Sequence, residues 1–294
     1  MPNLSVVVPV YNEEPAIGGV LEELDTVLAS APEVDAYEIL VVDDGSTDGT
    51  AEAVRVAAEE RPRVRLLARE RNRGYGAAIK LATRQAAYDL VAITDGDGSY
   101  PVEKLPEMLR HIDQADMVVA ARAPGKGQPL VRRPAKWILT SLASYLAEEK
   151  IPDLNSGMRL FRKQACERYA RLLPPRFSFT TTLTLAMLCD EMRVTYLPIE
   201  LRSRTGASKI RPIRDTLSFL LLIATTVTYF RPLKVLVPLA AALFLAGVVK
   251  GISNLLWFDP ADGPNLKTSD LLLLVAGIQV FALALIADLV SKRR

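Results

Sequence analysis

Ile39-Leu40-Val41-Val42-Asp43-Asp44-Gly45-Ser46 joins an apolar run to a short acidic turn, and Leu90-Val91-Ala92-Ile93-Thr94-Asp95-Gly96-Asp97 repeats this arrangement later in the chain. Apolar, β-branched runs of this length are typical of strands that are buried on both faces of a parallel sheet. The acidic residues then lie at the carboxyl ends of the strands, where open α/β sheets bind ligands. The two stretches therefore predict an α/β fold with a polar site at one edge of its sheet.

Predicted strands and helices alternate on both sides of these stretches. Strands are expected over 4–10, 38–42, 63–68, the run that ends at Asp95, 116–121 and 193–201, and helices over 13–29, 47–60, 74–88 and 135–149. This alternation is typical of βαβ units. Residues 151–161 form a mixed polar segment and residues 177–187 an apolar segment with many Ser and Thr residues, and neither pattern predicts a particular element.

The C-terminal part of the chain is more apolar than the rest. Residues 233–249 and 271–290 consist almost entirely of Leu, Val, Ala, Ile and Phe, and the second run carries no charge before Asp288. A helix of about 20 such residues spans a bilayer. We therefore predict two transmembrane helices, over about 234–257, which includes Pro238 and Lys250, and about 270–290. A buried helical hairpin in a soluble protein is the alternative.

Basic residues lie at the outer ends of both predicted spans. They are Arg211, Arg214, Arg231 and Lys234 before the first span and Lys292, Arg293 and Arg294 after the second, whereas the loop between the spans contains Lys267 as its one basic residue. By the positive-inside rule, both outer ends are cytoplasmic. The N-terminus runs directly into a strand without a signal-peptide pattern, so the large N-terminal domain is also expected in the cytoplasm.

A further helix is predicted over 212–230, where apolar positions mix with Arg214, Asp215 and several hydroxyl residues. This mixture suits an amphipathic helix that lies in the membrane interface. A third span is the alternative, and it would place the basic residues Arg231 and Lys234 on the wrong side of the membrane.

Composition excludes several kinds of site. The net charge of +2 is too small to indicate binding of nucleic acid, and His111 is the only histidine, which argues against histidine metal sites and catalytic triads. The two cysteines, Cys166 and Cys189, lack the spacing of metal ligands, and a disulfide is not expected in the cytoplasm. We interpret both cysteines as packing residues.

Asp95 and Asp97 are two carboxylates separated by a single residue, and such a pair can share one hard cation. Mg²⁺ and Mn²⁺ prefer oxygen ligands and commonly keep phosphate oxygens in their remaining positions. The pair therefore predicts a divalent metal that holds a nucleotide diphosphate. Solvated turns are the alternative, since Asp and Gly are ordinary turn residues.

Three motifs taken in order carry a family resemblance: Val6-Val7-Val8-Pro9-Val10-Tyr11-Asn12-Glu13-Glu14, Val41-Val42-Asp43-Asp44-Gly45-Ser46-Thr47-Asp48-Gly49-Thr50 and Thr94-Asp95-Gly96-Asp97-Gly98. They resemble glycosyltransferase family 2, and more narrowly the polyprenyl-phosphate glycosyltransferases that end in two membrane spans. The resemblance implies a GT-A, Rossmann-like domain. It also implies inverting, metal-dependent transfer of a sugar from a UDP- or GDP-hexose to dolichyl or undecaprenyl phosphate, which gives a polyprenyl-phosphate monosaccharide.

On the donor side, the resemblance implies that base and ribose are held by residues after the first two strands, namely Pro9, Tyr11, Glu13, Asp43 and Asp44. Asp95 and Asp97 would hold Mg²⁺ or Mn²⁺ on the diphosphate and serve as catalytic residues. Arg204 and Lys209 belong to a segment similar to the late Gly-x-Ser-Lys element of the family. Lys209 would neutralise the diphosphate, and Arg204 would either do the same or contact lipid headgroups. Relatives often have Asp-Ala-Asp followed by a Gln-bearing loop, whereas this chain has Asp95-Gly96-Asp97-Gly98-Ser99-Tyr100, which leaves a third metal ligand from that loop in question.

On the acceptor side, the lipid phosphate calls for basic residues. The resemblance implies contacts from Arg122, Arg132, Arg133, Ser156 and Arg159, of which the last two lie in Asp153-Leu154-Asn155-Ser156-Gly157-Met158-Arg159. For each of these arginines, the alternative is that it is an ordinary solvated residue on the protein surface. Asp153 is the third predicted catalytic residue, and it is expected to orient these arginines instead of acting as a base.

These expectations divide the chain into a cytoplasmic GT-A domain (1–210), an interfacial helix (211–231) and a membrane domain with two spans (232–294). The partners implied are a nucleotide-sugar, a polyprenyl-phosphate lipid and the membrane, and relatives also form homo-oligomers. The spans show no small-xxx-small pattern strong enough to specify a number of subunits. One alternative is a membrane glycosyltransferase that makes a glycolipid or polysaccharide, and another is a non-catalytic membrane scaffold.

Overall fold

The computed structural model describes residues 1–122, 133–176, 178–202, 212–257 and 266–292, and of residues 133–139 and 212–220 it describes the backbone alone. The chain divides into two units, Met1–Leu222 and Ile223–Arg294. Within the described ranges the strands are β1 (Leu4–Val10), β2 (Tyr37–Asp43), β3 (Val64–Ala68), β4 (Leu90–Ile93), β5 (Met117–Arg122), β6 (Arg159–Arg162) and β7 (Val194–Ile199). The helices are α1 (Glu14–Ser30), α2 (Thr50–Glu60), α3 (Tyr75–Gln85), α4 (Leu105–His111), α5 (Arg133–Ala147), α6 (Lys163–Arg168), α7 (Phe179–Cys189), α8 (Pro212–Phe230), α9 (Pro232–Leu256) and α10 (Thr268–Ser291).

The strands of the first unit form one sheet in the order β3-β2-β1-β4-β6-β5-β7. Every paired residue of β1 and β2 is buried, as expected for central strands with helices on both faces. Strand β6 runs antiparallel to both of its neighbours, and its first residue, Arg159, lies opposite Ile93 of β4 and Val119 of β5. The predicted α/β class is confirmed, and the sheet is mixed because of β6.

Helix α1 covers the sheet through Ile17, Leu21, Leu24 and Leu28, which recur at the spacing of one helix face and are buried. Helix α1 begins at Glu14, shortly after β1 ends at Val10. The predicted strands and helices lie where the sequence places them, with ends that differ by a few residues. Strand β6 and helices α4, α6 and α7 are additions to that prediction.

A polar network lies among the central strands. The Ser5 hydroxyl donates to Glu38 Oε1 at 2.7 Å, and the backbone N–H of Ala87 donates to the same oxygen at 2.6 Å. The other carboxylate oxygen of Glu38 accepts from Arg65 at 3.0 Å. A buried carboxylate with this many donors is satisfied, so the network ties the segment after α3 to the sheet.

In the second unit, α9 and α10 pack as an antiparallel pair, and both are long and apolar enough to cross a membrane, with mean hydropathies of 2.2 and 2.4. A Cβ added at Gly277 would lie 2.8 Å from the backbone N of Phe244, and one at Gly247 would lie 2.9 Å from the backbone N of Leu274. The helices approach this closely because both positions are glycine. Gly247 and Gly251, which have small-xxx-small spacing, therefore serve packing within this helix pair.

One end of the helix pair is joined by polar contacts. Asn254 donates to Asp270 at 2.6 Å, and the Lys250 amine donates to the Ser269 hydroxyl at 2.8 Å. The Asp270 carboxylate also accepts from the backbone N–H of Lys267 at 3.0 Å at the start of α10. These contacts fix the register of the two helices where the connecting loop begins.

Candidate functional site

The carboxyl ends of β1, β2 and β4 meet at one edge of the sheet. Val10 pairs with Asp43, and the backbone N–H of Asp44 donates to the Val10 carbonyl at 3.0 Å. Strand β4 lies on the other side of β1, with Ile93 paired to Val7, so Asp95 and Asp97 follow at the same edge. The structure thus brings together, at one edge of the sheet, the two acidic stretches from which the sequence predicts a site.

The loops after β1 and β2 hold each other in place. The backbone N–H of Asn12 donates to the Ser46 hydroxyl at 2.9 Å, and the Asn12 side-chain oxygen accepts from the backbone N–H of Thr47 at 2.8 Å. The backbone N–H of Glu13 donates to the Thr50 hydroxyl at 2.9 Å. Asn12 has a φ of 54°, a conformation that Asn tolerates better than most residues. Its role was missed in the sequence, where it stands between two predicted ligands.

Asp43 is buried, and its Oδ1 accepts from the backbone N–H and the hydroxyl of Ser46 at 2.9 and 2.5 Å. This closes the turn after β2. Pro9 lies in β1, and Tyr11 and Glu13 are half-buried in the loop that follows. These four of the five residues predicted to hold base and ribose therefore line the same end of two adjacent strands.

Asp44 requires a correction. Its carboxylate is 5% exposed, pairs with Arg69 at 3.0 Å and accepts from the backbone N–H groups of Arg73 and Gly74 at 3.1 and 2.6 Å. A carboxylate with these donors has little surface left for a nucleotide, so Asp44 anchors the segment that leads into α3. Arg69, its partner, was not singled out in the sequence, although a buried carboxylate requires a nearby cation or several donors.

Asp97 and Asp95 occupy one tight turn. Asp97 Oδ1 accepts from the backbone N–H and the hydroxyl of Ser99 at 3.0 and 2.6 Å, and Gly98 has a φ of 71° that completes the turn. A Cβ added at Gly96 would lie 2.4 Å from the side chain of Val10. The small residue between the two aspartates is thus explained by packing against β1.

Asp95 lies against the loop that precedes β6. A Cβ added at Gly157 would be 2.7 Å from Asp95 Oδ2, so the carboxylate occupies the space that a side chain would fill. The Tyr100 hydroxyl accepts from the backbone N–H of Gly157 at 2.7 Å. Burial, followed by the charge of Asp95, raises the pKa of both Tyr75 and Tyr100. Both phenols therefore stay neutral beside this carboxylate.

On the other side of the loop, Arg122 at the end of β5 forms a two-pronged ion pair with Asp153. Its Nε and Nη2 donate to the two carboxylate oxygens at 2.5 and 2.7 Å, and the backbone N–H of Arg122 donates at 3.2 Å. Asp153 is fully buried, whereas the Arg122 side chain is 24% exposed. This geometry supports the expected role of Asp153 in orienting Arg122, because the buried carboxylate is fully engaged and the arginine reaches the surface.

Arg159 and Ser156 require a second correction. Arg159 is 0% exposed, and its guanidinium donates to protein oxygens of Leu154, Ser156, Thr180 and Thr184. The Ser156 hydroxyl is buried as well and donates to the carbonyl of Ala120 at 2.5 Å. Neither side chain is placed to contact an acceptor phosphate, since both lie beneath the surface of the site.

Several predicted residues lie outside the described part of the chain. Arg132, Arg204 and Lys209 lie outside the ranges that the structure describes. Arg133 begins α5, where the structure describes its backbone but not its side chain. The remaining described candidates divide into a donor side after β1, β2 and β4 and an acceptor side that consists of Arg122 and Asp153.

The donor side suits a divalent metal in its chemistry. Asp95 and Asp97 supply carboxylate oxygens, which Mg²⁺ and Mn²⁺ prefer. Among the described residues, no cluster of three or more His, Cys, Asp or Glu side chains could hold a metal ion by itself. A cation bound here would thus need oxygens from its substrate, which is how Mg²⁺ is commonly held beside phosphates.

Two family models match the chain. The model described as Glycosyl transferase family 2 matches residues 5–170, and the model described as GtrB C-terminal hairpin matches residues 231–292. The first contains all the described donor and acceptor residues of the site, and the second contains α9 and α10.

Similar proteins include transferases that act on lipid phosphates, according to their names. A dolichyl-phosphate hexose transferase from Haloferax volcanii is 32% identical over 217 residues, which are 71% of this chain and 87% of that protein. An undecaprenyl-phosphate 4-deoxy-4-formamido-L-arabinose transferase from Photorhabdus laumondii is 30% identical over 198 residues, 67% of this chain. That match spans about half of the relative's own length, 54%.

A solved structure shows the same fold. Glucosyl-3-phosphoglycerate synthase from Mycobacterium tuberculosis, in complex with Mn²⁺, UDP and phosphoglyceric acid, matches with a TM-score of 0.59 and 21% identity. The match covers 77% of this chain and 78% of that chain. The expected GT-A fold is confirmed by this likeness.

Proposed function

Because this chain belongs to glycosyltransferase family 2, we propose that it transfers a sugar from a nucleotide-sugar to a polyprenyl phosphate at the cytoplasmic face of a membrane. The observation that carries the proposal is the edge of the sheet, where the acidic turn of Asp95 and Asp97 and the Arg122–Asp153 ion pair lie on two sides of one loop. The names of the relatives and the match of residues 231–292 to a membrane hairpin support a lipid acceptor.

On the donor side, we assign the base and ribose of a UDP- or GDP-hexose to Pro9, Tyr11, Glu13 and Asp43, which line the ends of β1 and β2. Asp95 and Asp97 would hold Mg²⁺ or Mn²⁺, and such a metal, when bound, stabilises the negative charge of the leaving nucleoside diphosphate. Solved relatives that contain Mn²⁺ or Mg²⁺ support this assignment. Arg204 and Lys209 are proposed to add positive charge at the same diphosphate.

On the acceptor side, Arg122 is proposed to bind the lipid phosphate together with Arg132 and Arg133. A phosphate monoester is already ionised at neutral pH, so its oxygen can attack the anomeric carbon of the sugar without a strong base. The new carbon–oxygen bond forms as the bond to the diphosphate breaks, and this single displacement inverts the configuration of the carbon. Positioning and charge neutralisation therefore account for the catalysis, and Asp153 contributes by orienting Arg122.

The membrane assignment rests on α9 and α10, whose apolar residues are largely exposed in the structure. We propose that both cross the bilayer, that residues 211–231 lie at the interface and that the GT-A domain of residues 1–210 is cytoplasmic with both termini. This arrangement places an acceptor phosphate in the lipid headgroups within the same compartment as the nucleotide-sugar. The basic residues near Arg231 and after Ser291 would face anionic lipids there.

The test uses the full chain in detergent with UDP-sugars and GDP-sugars, Mn²⁺ or chelator, and a polyprenyl phosphate. We expect one nucleotide to raise the melting temperature only when metal is present, and its sugar to appear on the lipid. Asp97→Ala should abolish transfer while the protein remains folded, whereas the exposed Asp113→Ala should retain it. Full turnover by Asp97→Ala with metal would refute the metal assignment.

The products separate the competing functions. Mass spectrometry of the lipid fraction should detect one added sugar, whereas a ladder of products would indicate a processive synthase. If no nucleotide-sugar binds with or without metal, the transferase proposal is wrong and a non-catalytic scaffold takes its place.

A further inference from the structure

Residues 153–158, the 153–158 loop, are held at almost every position. Asp153 pairs with Arg122, the Asn155 side chain accepts from the Thr181 hydroxyl at 2.5 Å, and the Ser156 hydroxyl donates to a β5 carbonyl. Gly157 donates to the Tyr100 hydroxyl. The loop is fixed between the sheet and α7, so a change at its base is transmitted to the Asp153 carboxylate.

Arg159 lies at the base of this loop. Its Nε donates to the Ser156 carbonyl at 2.7 Å, and its Nη2 donates to the Leu154 carbonyl at 3.1 Å. The two carbonyls flank Asn155, so a single guanidinium holds the backbone on both sides of the middle of the loop. A planar guanidinium can hold two separate acceptors in this way because its donors point in fixed directions.

The same guanidinium is fastened to α7. Its Nη1 donates to the Thr180 carbonyl at 2.9 Å and to the Thr184 hydroxyl at 2.5 Å. These two oxygens and the two loop carbonyls are all neutral. Burial lowers the pKa of Arg159, but an arginine side chain stays protonated in proteins, so a positive charge remains beneath the acceptor side.

We propose that Arg159 is a positioning residue for the transfer reaction: it fixes the 153–158 loop so that Asp153 holds Arg122 towards the acceptor phosphate. The inference rests on the proposed function, because it names how an acceptor arginine is kept in place. Arg159 itself touches neither substrate.

A purely structural role would have different consequences. If Arg159 only stabilised the fold, weakening its contacts would lower the fraction of folded protein and leave the kinetic constants of the folded molecules unchanged. A positioning role would lower kcat/KM for the polyprenyl phosphate and leave the binding of nucleotide and metal unchanged. The split between acceptor and donor constants therefore distinguishes the two roles.

Two buried threonines of α7 provide a matched pair of variants. The Thr184 hydroxyl accepts from Arg159 and donates to the Thr180 carbonyl at 3.0 Å, whereas the Thr182 hydroxyl donates to the Ser178 carbonyl at 3.0 Å. Thr184→Val and Thr182→Val each remove one buried hydroxyl and one bond within the helix. Thr184→Val alone also removes an acceptor of Arg159.

We expect Thr184→Val to lower kcat/KM for polyprenyl phosphate about tenfold relative to Thr182→Val, the size of effect that follows the loss of one hydrogen bond to a charged group. Metal-dependent nucleotide binding, measured by calorimetry, should be equal in the two variants. Arg159→Lys, which keeps the charge but not the planar fork, should lower the same acceptor constant at least as far. Should Arg159→Lys fail to fold, the threonine pair alone decides the question.

Equal acceptor constants in the two threonine variants would overturn the inference, and so would a parallel loss of donor binding in Thr184→Val. Failure of the proposed function gives a different result, because the unaltered protein would then bind a nucleotide-sugar without transferring it to polyprenyl phosphate. The two failures are therefore distinguishable in one set of measurements.

Discussion

Replacing Gly157 by alanine tests whether the Asp95 carboxylate must stay where it is. The added Cβ would lie 2.7 Å from Oδ2, 2.9 Å from Oδ1 and 3.0 Å from Cγ of Asp95, whereas ordinary contact begins near 3.4 Å. The carboxylate or the 153–158 loop must therefore move by about 0.7 Å. Gly157 does not have the positive φ of Gly45, Gly74 and Gly98, so the effect comes from space and not from backbone strain.

The expected loss follows from the size of this movement. A misplacement of about 1 Å in a catalytic site can cost about 100-fold in rate, so a shift of about 0.7 Å should cost about 10- to 100-fold in transfer. That corresponds to about 1.4–2.7 kcal/mol of activation free energy. The apparent affinity for Mn²⁺ should also fall, because Asp95 is one of the two proposed metal ligands.

The assay is transfer of a labelled sugar to polyprenyl phosphate across a Mn²⁺ titration, with calorimetry of nucleotide and metal binding on the same preparations. Gly19→Ala is the control, because a Cβ at Gly19 meets nothing within 4 Å. If Gly157→Ala keeps full turnover and the same metal affinity as Gly19→Ala, the reasoning that ties Asp95 to this loop is refuted.

Two further predictions concern stability. Glu38→Ala leaves the backbone N–H of Ala87 and the Ser5 hydroxyl without their shared acceptor. We therefore expect the free energy of unfolding, measured by chemical denaturation, to fall by about 2–3 kcal/mol, with turnover per folded molecule unchanged. An unchanged denaturation midpoint would contradict this. Gly277→Leu places a side chain where a Cβ already lies 2.8 Å from the Phe244 backbone, so the α9–α10 pair should lose about 1–3 kcal/mol, seen as a lower melting temperature in detergent. If the variant melts at the same temperature as the unaltered chain, the two helices accommodate the larger side chain without loss of stability, and the prediction is wrong.

The sequence predicted the central strands because parallel strands with both faces covered have long apolar runs. Residues 4–10 and 38–42 coincide with β1 and β2 almost residue for residue. The two apolar helices were equally readable, since their length and hydropathy depend on composition alone. The turns that follow β2 and β4 were placed correctly at one edge because parallel strands must end together.

Strand β6 and helix α7 could not be predicted from periodicity. Strand β6 has four residues, too few for an alternation to be recognised, and it begins with an arginine. Every residue of α7 is buried, so the helix has no polar face to reveal its period. Its threonines look like a polar surface in the sequence, yet the fold buries them beside Arg159.

The roles of Asp44 and Arg159 were misjudged for one physical reason. A charged residue in a site motif looks the same whether its side chain faces the ligand or the protein behind it. Only the structure shows that Arg69 and two backbone N–H groups surround Asp44, and that carbonyls surround Arg159. A dense group of Thr residues at 180–184 is the signal that could have suggested a buried polar partner.

The antiparallel course of β6 has a consequence for how this protein can change over evolutionary time. The chain leaves the sheet at Arg122 and returns at Arg159, and both points lie at the same edge, next to the end of β4. Insertions, deletions or exchanges between these points leave the pairing of every strand intact, provided that the 153–158 loop is kept, since this loop bonds to β5 and packs against Asp95. Such a chain could thus acquire a new acceptor through exchanges before Asp153, while the 153–158 loop and the donor half are inherited unaltered.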